Sequence, residues 1–320
     1  MKLYPLQFEP ILKERIWGGT KLKTYLNKPI TAYNTGESWE ISTVENDVSI
    51  VAKGELKGKS LNDLISEHPE TVLGTKVYAL FGKQFPLLFK YLDAREDLSI
   101  QVHPNDEQAK KYHNSFGKTE MWYVMQADTD ASLIVGFKEK SSPQEFIQNL
   151  NNKTLLNILD TKKVRQGDVF FLETGTIHAI GAGIIVAEIQ QTSDITYRVY
   201  DFDRIDVNGN KRELHIDLAL KAMNYDVIDA QKIYSKTTNI SNKIINCKYF
   251  TTNVIPLNGN ITVTKNNQSF TVYMCVDGDF QLTSSLEIYY YKRGDTVLIP
   301  ASITGFQLSG KATILEIYIS

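Results

Sequence analysis

Three side chains able to hold a divalent cation crowd into one stretch, Leu98 to Glu120, LSIQVHPNDEQAKKYHNSFGKTE: the amide of Gln101, the imidazole of His103 and the carboxylate of Glu120. An ion held by such groups is a Lewis acid that can stabilise developing negative charge on oxygen. The apolar Leu98, Ile100 and Val102 alternate with the polar Ser99, Gln101 and His103, which is the period of a strand with one polar face. Gln101 and His103 therefore project to the same side. Pro104 has no backbone N–H to continue a ladder, so the strand ends there and leaves His103 within reach of a ligand. A second strand opens at Gly117-Lys118-Thr119-Glu120-Met121-Trp122, with Lys118, Glu120 and Trp122 on one face. Two readings stand at this point. Gln101, His103 and Glu120 belong to a metal site inside a β-barrel, or the two strands simply have solvated outer faces.

The elements that must position these groups come from the rest of the chain. Its 320 residues, 42% hydrophobic and 22% charged, suit one large or two ordinary globular domains with a proper core. A formal net charge of -2, from 35 basic and 37 acidic residues, offers no sequence-wide attraction to nucleic acid or an anionic membrane, so a small-molecule or protein partner is expected. No apolar run approaches the roughly 20 residues that span a bilayer, and the charged N-terminus lacks the core of a signal peptide. A cytoplasmic compartment is the expectation. Cys247 and Cys275 form no CxxC pair, so a metal here must use His, carboxylate and amide ligands.

Residues 1 to 56 are mixed, with turns expected at Trp17-Gly18-Gly19 and Asn34-Thr35-Gly36 and a strand over Ser38 to Thr43, and they should cover or edge a sheet. Ser60 is placed to cap a helix carrying Leu61, Leu64 and Ile65 on one stripe. The run Pro86 to Leu92 is apolar enough to be buried on both faces, with Lys90 inside it, either snorkelling to a surface or functional. His113 falls in a polar helix or loop and should be exposed. Ser142-Pro143-Gln144-Glu145 reads as a capping box that starts a helix, with a further helical piece over Lys153 to Asp160. Gly167-Asp168 reads as a hairpin turn, Val169 to Leu172 as a buried strand, and Glu173-Thr174-Gly175 as a turn delivering His178 to the next strand, as a core histidine or a ligand. A charged turn at Asp206 to Arg212 precedes a bridging helix with Leu214, Leu218 and Met223 on its pattern, and His215 there is structural or exposed. From about Thr238 the chain is strand and turn, with turns at Val276 to Asp279 and Lys292 to Asp295.

A repeat helps to separate scaffold from chemistry. Gly167-Asp168-Val169-Phe170-Phe171-Leu172-Glu173 aligns with Gly294-Asp295-Thr296-Val297-Leu298-Ile299-Pro300, and without gaps His178 falls opposite Gly305. The chain then carries two copies of one β module, and His178 is not needed to build the turn.

In order along the chain stand Trp17-Gly18-Gly19, Gly36-Glu37-Ser38-Trp39-Glu40, Gln101-Val102-His103-Pro104-Asn105-Asp106, Gly117-Lys118-Thr119-Glu120-Met121-Trp122-Tyr123, Gly175-Thr176-Ile177-His178-Ala179 and Tyr197-Arg198-Val199-Tyr200-Asp201-Phe202-Asp203-Arg204. This set resembles the cupin barrel, and more closely the type I mannose-6-phosphate isomerases in their short bacterial form. Glu173-Thr174-Gly175 departs from the Pro-Ala-Gly usual there. The resemblance implies a mainly β fold of two cupin-like (jelly-roll) β-barrels with a small α-helical insertion and a bridging helix. It implies an N-terminal metal-binding cupin domain over residues 1–225 and a C-terminal cupin-like domain over 226–320 that lacks the metal ligands. By the same similarity Gln101, His103, Glu120 and His178 match the ligands of one Zn2+ per chain, and Arg198 matches the catalytic arginine. Ser99, Lys90, Lys118 and Glu188 match positions lining a sugar-phosphate pocket.

The implied activity interconverts mannose 6-phosphate and fructose 6-phosphate, in a monomer or homodimer, by moving a proton between C1 and C2 through an enediol or enediolate. Zinc with one carboxylate ligand keeps a formal charge of about +1, from +2 and -1. Arg198 stays protonated and can only donate hydrogen bonds or charge. Zinc hydroxide, Glu188 and Lys118 are all open as the base. Two rivals stand beside this reading. His103, Glu120 and His178 are also a two-His, one-carboxylate set of the kind found in non-haem iron oxygenases, in which Gln101 would fill a position needed for substrate. A non-catalytic sugar-binding cupin would have lost its ligands, whereas here only the C-terminal copy has lost one.

Overall fold

The computed structural model describes residues 3–205 and 209–320. The N-terminal strands are β1 (Ile11–Gly19), β2 (Thr35–Ile41), β3 (Leu87–Ala94), β4 (Ile100–Val102), β5 (Glu120–Ala127) and β6 (Ser132–Phe137). They continue as β7 (Leu159–Lys163), β8 (Val169–Leu172), β9 (His178–Ile180), β10 (Ile184–Gln191) and β11 (Tyr197–Tyr200). The C-terminal strands are β12 (Asn242–Asn246), β13 (Thr251–Thr264), β14 (Thr271–Ser284), β15 (Glu287–Lys292), β16 (Thr296–Ile299) and β17 (Gly305–Tyr318). Four helices matter below: α1 (Leu61–Glu67), α2 (Asp106–His113), α3 (Pro143–Asn151) and α4 (Ile216–Ala222).

Besides a two-residue ribbon of Thr43–Val44 with Asp47–Val48, these strands form three sheets, in the orders β1-β2-β3-β10-β5-β8, β11-β4-β9-β6-β7 and β12-β13-β17-β14-β15, with β16 paired to β14. Period-2 alternation assigns each face of the first sheet. Leu87, Phe89, Tyr91, Met121, Tyr123, Met125, Ile185, Ala187 and Ile189 point one way, into a core shared with Val254, Val272, Met274, Leu315 and Ile317 of the third sheet. The opposite face packs on the second sheet, because Leu92, Trp122, Val124 and Val186 share a cluster with Leu133, Val135 and Ile180. The outer face of the second sheet is covered in turn by Phe146 of α3 and by Ala219 of α4 with Met223 beyond it. Polar residues on the inner faces of the first two sheets are thus enclosed between layers. The fold is mainly β, as its motifs imply.

Local chemistry explains where elements start. Ser60 accepts from Asp63 N–H and Asp63 returns to Ser60 N–H, a complete capping box on α1. Asn105 and Gln108 do the same for α2. Ser142 caps α3 with proline in its first turn, but Glu145 turns its carboxylate to Ser141, so that box is half made. β3 is buried along its whole length, as its apolar run requires. Gly18 is glycine because an added Cβ would lie 2.4 Å from both Asn34 O and Gly36 N, where β1 and β2 pass closely.

The repeat is visible in the backbone. β8 and β16 occupy the aligned positions, each entered through a glycine with positive φ, 87° at Gly167 and 91° at Gly294. Asp168 accepts from Arg165 N–H at 2.9 Å, and Asp295 accepts from Lys292 N–H at 2.8 Å. His178 begins β9 and its counterpart Gly305 begins β17.

Several expectations need correction. Trp17 to Gly19 ends a strand rather than making a turn, and β2 lies inside the sheet between β1 and β3. Lys153 adopts a φ of 59° and ends the helical excursion, so Lys153 to Asp160 holds only a 3-10 turn at Leu155–Asn157 before β7 begins. Gly167-Asp168 is a turn but not a hairpin, since β7 pairs with β6 and β8 with β5 in different sheets. Val276 to Asp279 lies inside β14, where a register shift between Cys275 and Asp277 bulges the strand without ending it. Leu214 precedes α4 and is exposed, and α4 packs on the second sheet. The charged turn at Asp206 to Arg212 falls partly outside the described residues.

Candidate metal centre and active site

Two rows of side chains face one another across the enclosed space. In the first sheet Trp39, Lys90, Glu188 and Trp122 are consecutive cross-strand partners over β2, β3, β10 and β5. In the second sheet Arg198, Gln101 and His178 are partners over β11, β4 and β9. Glu120 opens β5 one row away, opposite Gln190, and His103 lies just past the end of β4, before Pro104. The Trp122 and His178 rings meet edge-on with centroids 5.2 Å apart, which measures how closely the sheets approach.

His103, Glu120 and His178 bring one ligand atom each within 4.8 Å of one another, and all three are buried. His178 Nε2 lies 3.3 Å from Glu120 Oε1 and His103 Nε2 lies 3.5 Å from Glu120 Oε2. Gln101 reaches the same place, its Nε2 being 3.3 Å from His178 Nε2. A half-turn of that amide presents its oxygen instead. Each imidazole is aimed from behind. His103 Nδ1 donates to Ile195 O at 2.9 Å and His178 Nδ1 donates to Thr176 O at 2.8 Å, which leaves both Nε2 lone pairs facing Glu120. The Glu173-Thr174-Gly175 turn supports this despite its departure from the family pattern, since Gly175 N–H donates to His103 O at 2.9 Å. His103 Nε2 and both oxygens of Glu120 are buried without a hydrogen-bond partner. Converging lone pairs of this kind are costly unless a cation occupies their focus, and two imidazoles with a carboxylate and an amide are a donor set that suits a divalent ion.

Electrostatics point the same way. Burial holds His178 down to about 4, and burial with the charge of Lys118 holds His103 well below its usual range, so both are neutral at pH 7 and have the form that can ligate a metal. Burial pushes Glu120 up to about 7, against the opposing pull of Lys118, whose Nζ is 3.3 Å from Oε2. Glu188 would also be raised by burial, but Lys90 and Lys118 outweigh it and keep the carboxyl below its ordinary value. Its Oε1 is 3.0 Å from Lys90 Nζ and its Oε2 accepts from Trp122 Nε1 at 2.9 Å. Lys118 is raised despite burial, by Glu120 and Glu188, and so stays charged.

Above this floor opens a cavity of about 570 Å³. Gln101, Lys118, Glu188, Lys90, Ser99 and Arg198 all line it, so six of the nine site residues singled out by sequence lie on its wall, and His178 lies beneath it against Gln101. His103 and Glu120 complete the floor. Arg198 is fixed by donating from Nε to Ser99 Oγ at 3.2 Å and from Nη1 to Glu213 O at 3.0 Å. Lys90 does not snorkel: it is 5% exposed, lies over the Trp39 ring and donates to Gln190 Oε1 at 2.7 Å.

Residues 5–131 match the model of the phosphomannose isomerase type I catalytic domain, and residues 239–319 that of the mannose-6-phosphate isomerase cupin domain. Over 316 residues the chain is 37% identical to mannose-6-phosphate isomerase ManA of Bacillus subtilis, covering 98% of each. The chain belongs to the type I phosphomannose isomerase family. Mannose-6-phosphate isomerase of Streptococcus mutans is 34% identical, over 97% of each chain. A crystal structure of the Bacillus subtilis mannose 6-phosphate isomerase matches with a TM-score of 0.91 at 34% identity, over 99% of this chain and 100% of that one.

This phosphomannose isomerase family member also lines its cavity with residues that sequence reasoning did not single out: Lys13, Arg15, Asp47, Thr196 and Arg212. Glu37 and Trp39, noted only as part of a motif, belong with them. Arg15 Nε donates to Glu37 Oε1 at 2.7 Å and Trp39 Nε1 to Glu37 Oε2 at 2.6 Å, and against burial the charges of Lys90 and Arg15, with these two bonds, hold Glu37 at about 2. Alternation was the available signal, since Lys13, Arg15 and Trp17 are every second residue of β1. His215 likewise lines the cavity, and its ring nitrogen accepts from Arg198 N–H at 3.2 Å. His113 is exposed and pairs with Tyr197 outside the cavity.

Proposed function

We propose that the chain interconverts mannose 6-phosphate and fructose 6-phosphate with one zinc ion held by Gln101, His103, Glu120 and His178. The observation that carries this reading is the convergence of buried His103, Glu120 and His178 ligand atoms, with His103 Nε2 and Glu120 Oε1 lacking a hydrogen-bond partner, at the floor of a cavity walled by Lys13, Arg15, Lys90, Lys118, Arg198 and Arg212. The cations suit the doubly charged phosphate of a hexose phosphate. Zinc, when bound, supplies Lewis-acid stabilisation to the sugar oxygens on which charge develops. Gln101 distinguishes the site from a two-His, one-carboxylate oxygenase, because it stands among the ligands and carries no charge.

The chain's own residues supply the rest. Arg198 donates hydrogen bonds from a guanidinium held by Ser99 and the Glu213 carbonyl, and steadies the enediolate. Lys118, kept protonated by Glu120 and Glu188, adds positive charge beside the reacting oxygens. Glu188, ionised on the cavity wall, is a carboxylate able to take the proton moved between C1 and C2. Lys90 and Ser99 position substrate. We divide the chain into a metal-binding cupin domain over residues 1–225 and a C-terminal cupin-like domain over 226–320. We place the enzyme in the cytoplasm as a monomer or homodimer with no nucleic-acid or membrane partner; among the described residues no helix is long and apolar enough to cross a membrane. The test is metal analysis of the purified protein with a coupled assay on mannose 6-phosphate. One zinc per chain and turnover are expected; iron with no isomerase activity would sink the reading.

A further inference from the structure

The segment that carries Lys118 into the cavity, Gly117 to Thr119, lies ahead of β5 and outside the sheet ladder. Its three successive backbone N–H groups are nevertheless all held. Gly117 donates to Asp106 Oδ1 at 3.0 Å, Lys118 to Pro104 O at 3.2 Å and Thr119 to Gln191 Oε1 at 2.9 Å. Gln191 closes the loop, since its backbone N–H donates to Thr119 O at 3.1 Å and its Nε2 to Asp106 Oδ1 at 3.0 Å. The other oxygen of Asp106 accepts from the Tyr249 hydroxyl at 2.7 Å. Tyr249 stands in the turn between β12 and β13 of the third sheet, 143 positions further along the chain. Its neighbour Phe250 is buried and meets Phe171 edge-on at 6.4 Å, which fixes that turn on the N-terminal sheets. Lys248 Nζ is 3.5 Å from the same carboxylate but exposed, so it contributes little.

We propose that Asp106, Gln191 and Tyr249 are positioning residues that clamp Gly117 to Thr119 and so fix Lys118 and Glu120 at the cavity floor. The third sheet then has a part in a site whose cavity none of its described residues lines. Hydrogen bonds to an ionised carboxylate are the stronger kind, and Asp106 sits where one group can hold two chain segments and a distant turn together. Burial would raise Asp106, but the bonds from Tyr249, Gln191 and Gly117 outweigh it and keep it ionised.

The test combines amide hydrogen exchange on the metal-free protein with steady-state kinetics, for Tyr249→Phe, Asp106→Ala and the conservative Asp106→Asn. In Tyr249→Phe, exchange at Gly117 and Thr119 should quicken about tenfold, amides within β5 should be unchanged, and kcat should fall about tenfold. Asp106→Ala should do more, and Asp106→Asn should recover most of the loss because it keeps an acceptor oxygen. Parental exchange at both amides in Tyr249→Phe overturns the clamp. Faster exchange with parental kcat overturns its positioning role. Tyr249→Phe removes one hydroxyl and carries the test should Asp106→Ala not fold. The catalytic part rests on the isomerase reading; a parent chain without that activity whose amides still loosen in Tyr249→Phe would remove the reading and leave the clamp.

Discussion

Zinc binding to the metal-free chain at about pH 5.5 should release about one proton, and that proton should come from Glu120. Burial pushes this carboxyl up to about 7, so it is more than about nine-tenths protonated at that pH. The same burial holds His178 down to about 4 and His103 well below its usual range, so neither imidazole carries an appreciable proton. Occupation requires the carboxylate and two neutral imidazoles, which makes the count about one. Were the groups at their ordinary values of 6.5 for each imidazole and 4.5 for the carboxyl, about two protons would leave instead, both from histidine. Apparent affinity should therefore rise about tenfold per pH unit up to about pH 7 and level off above it. Calorimetric titration in buffers of different ionisation enthalpy measures the count directly. Glu120→Gln separates the sources: binding weakens and the count falls to near zero if the carboxyl is the donor. A count near two at about pH 5.5, unchanged in Glu120→Gln, would refute the reasoning.

Three further outcomes are expected. Arg198→Ala should lose about 10²- to 10³-fold in kcat with its zinc content intact, and near-parental turnover would remove its role. The buried Lys28–Glu40 pair, 2.6 Å apart and flanked by Ser38 Oγ, lies away from the cavity wall. Lys28→Met should cost about 3–5 kcal/mol in denaturant unfolding while leaving kcat at parental level; a cost below about 1 kcal/mol would mean that water reaches the pair. Gly18→Ala should destabilise by about 1–3 kcal/mol, because its Cβ would meet two backbone atoms at 2.4 Å, and an unchanged thermal midpoint would contradict that close approach.

Features set by neighbouring residues were the legible ones. The cap at Ser60, the proline-led start of α3, the bounds of β8 and the polar side of β4 all follow from spacing within a few residues, and each is found. The aligned glycine-aspartate turns were legible because both copies solve the same local problem with the same bond. What depends on distant partners was not. A bulge at Val276 lets β14 continue along β17 through Gly278, which pairs with Ala312, whereas sequence around Gly278 alone reads as a turn. Arg15 looks like any strand cation until Glu37 and the cavity are placed beside it. Family motifs brought His178 to His103 and Glu120 before any geometry did, since an isolated histidine among small residues gives no sign of the 3.3 Å approach to a carboxylate.

Isomerisation should depend on one ion held among Gln101, His103, Glu120 and His178. Chelator-stripped protein titrated with zinc, while conversion of mannose 6-phosphate is followed, shows whether it does. Activity should be absent at the start, rise linearly and break at about one zinc per chain. Full turnover by the stripped protein, or no turnover once that ratio is passed, would contradict it.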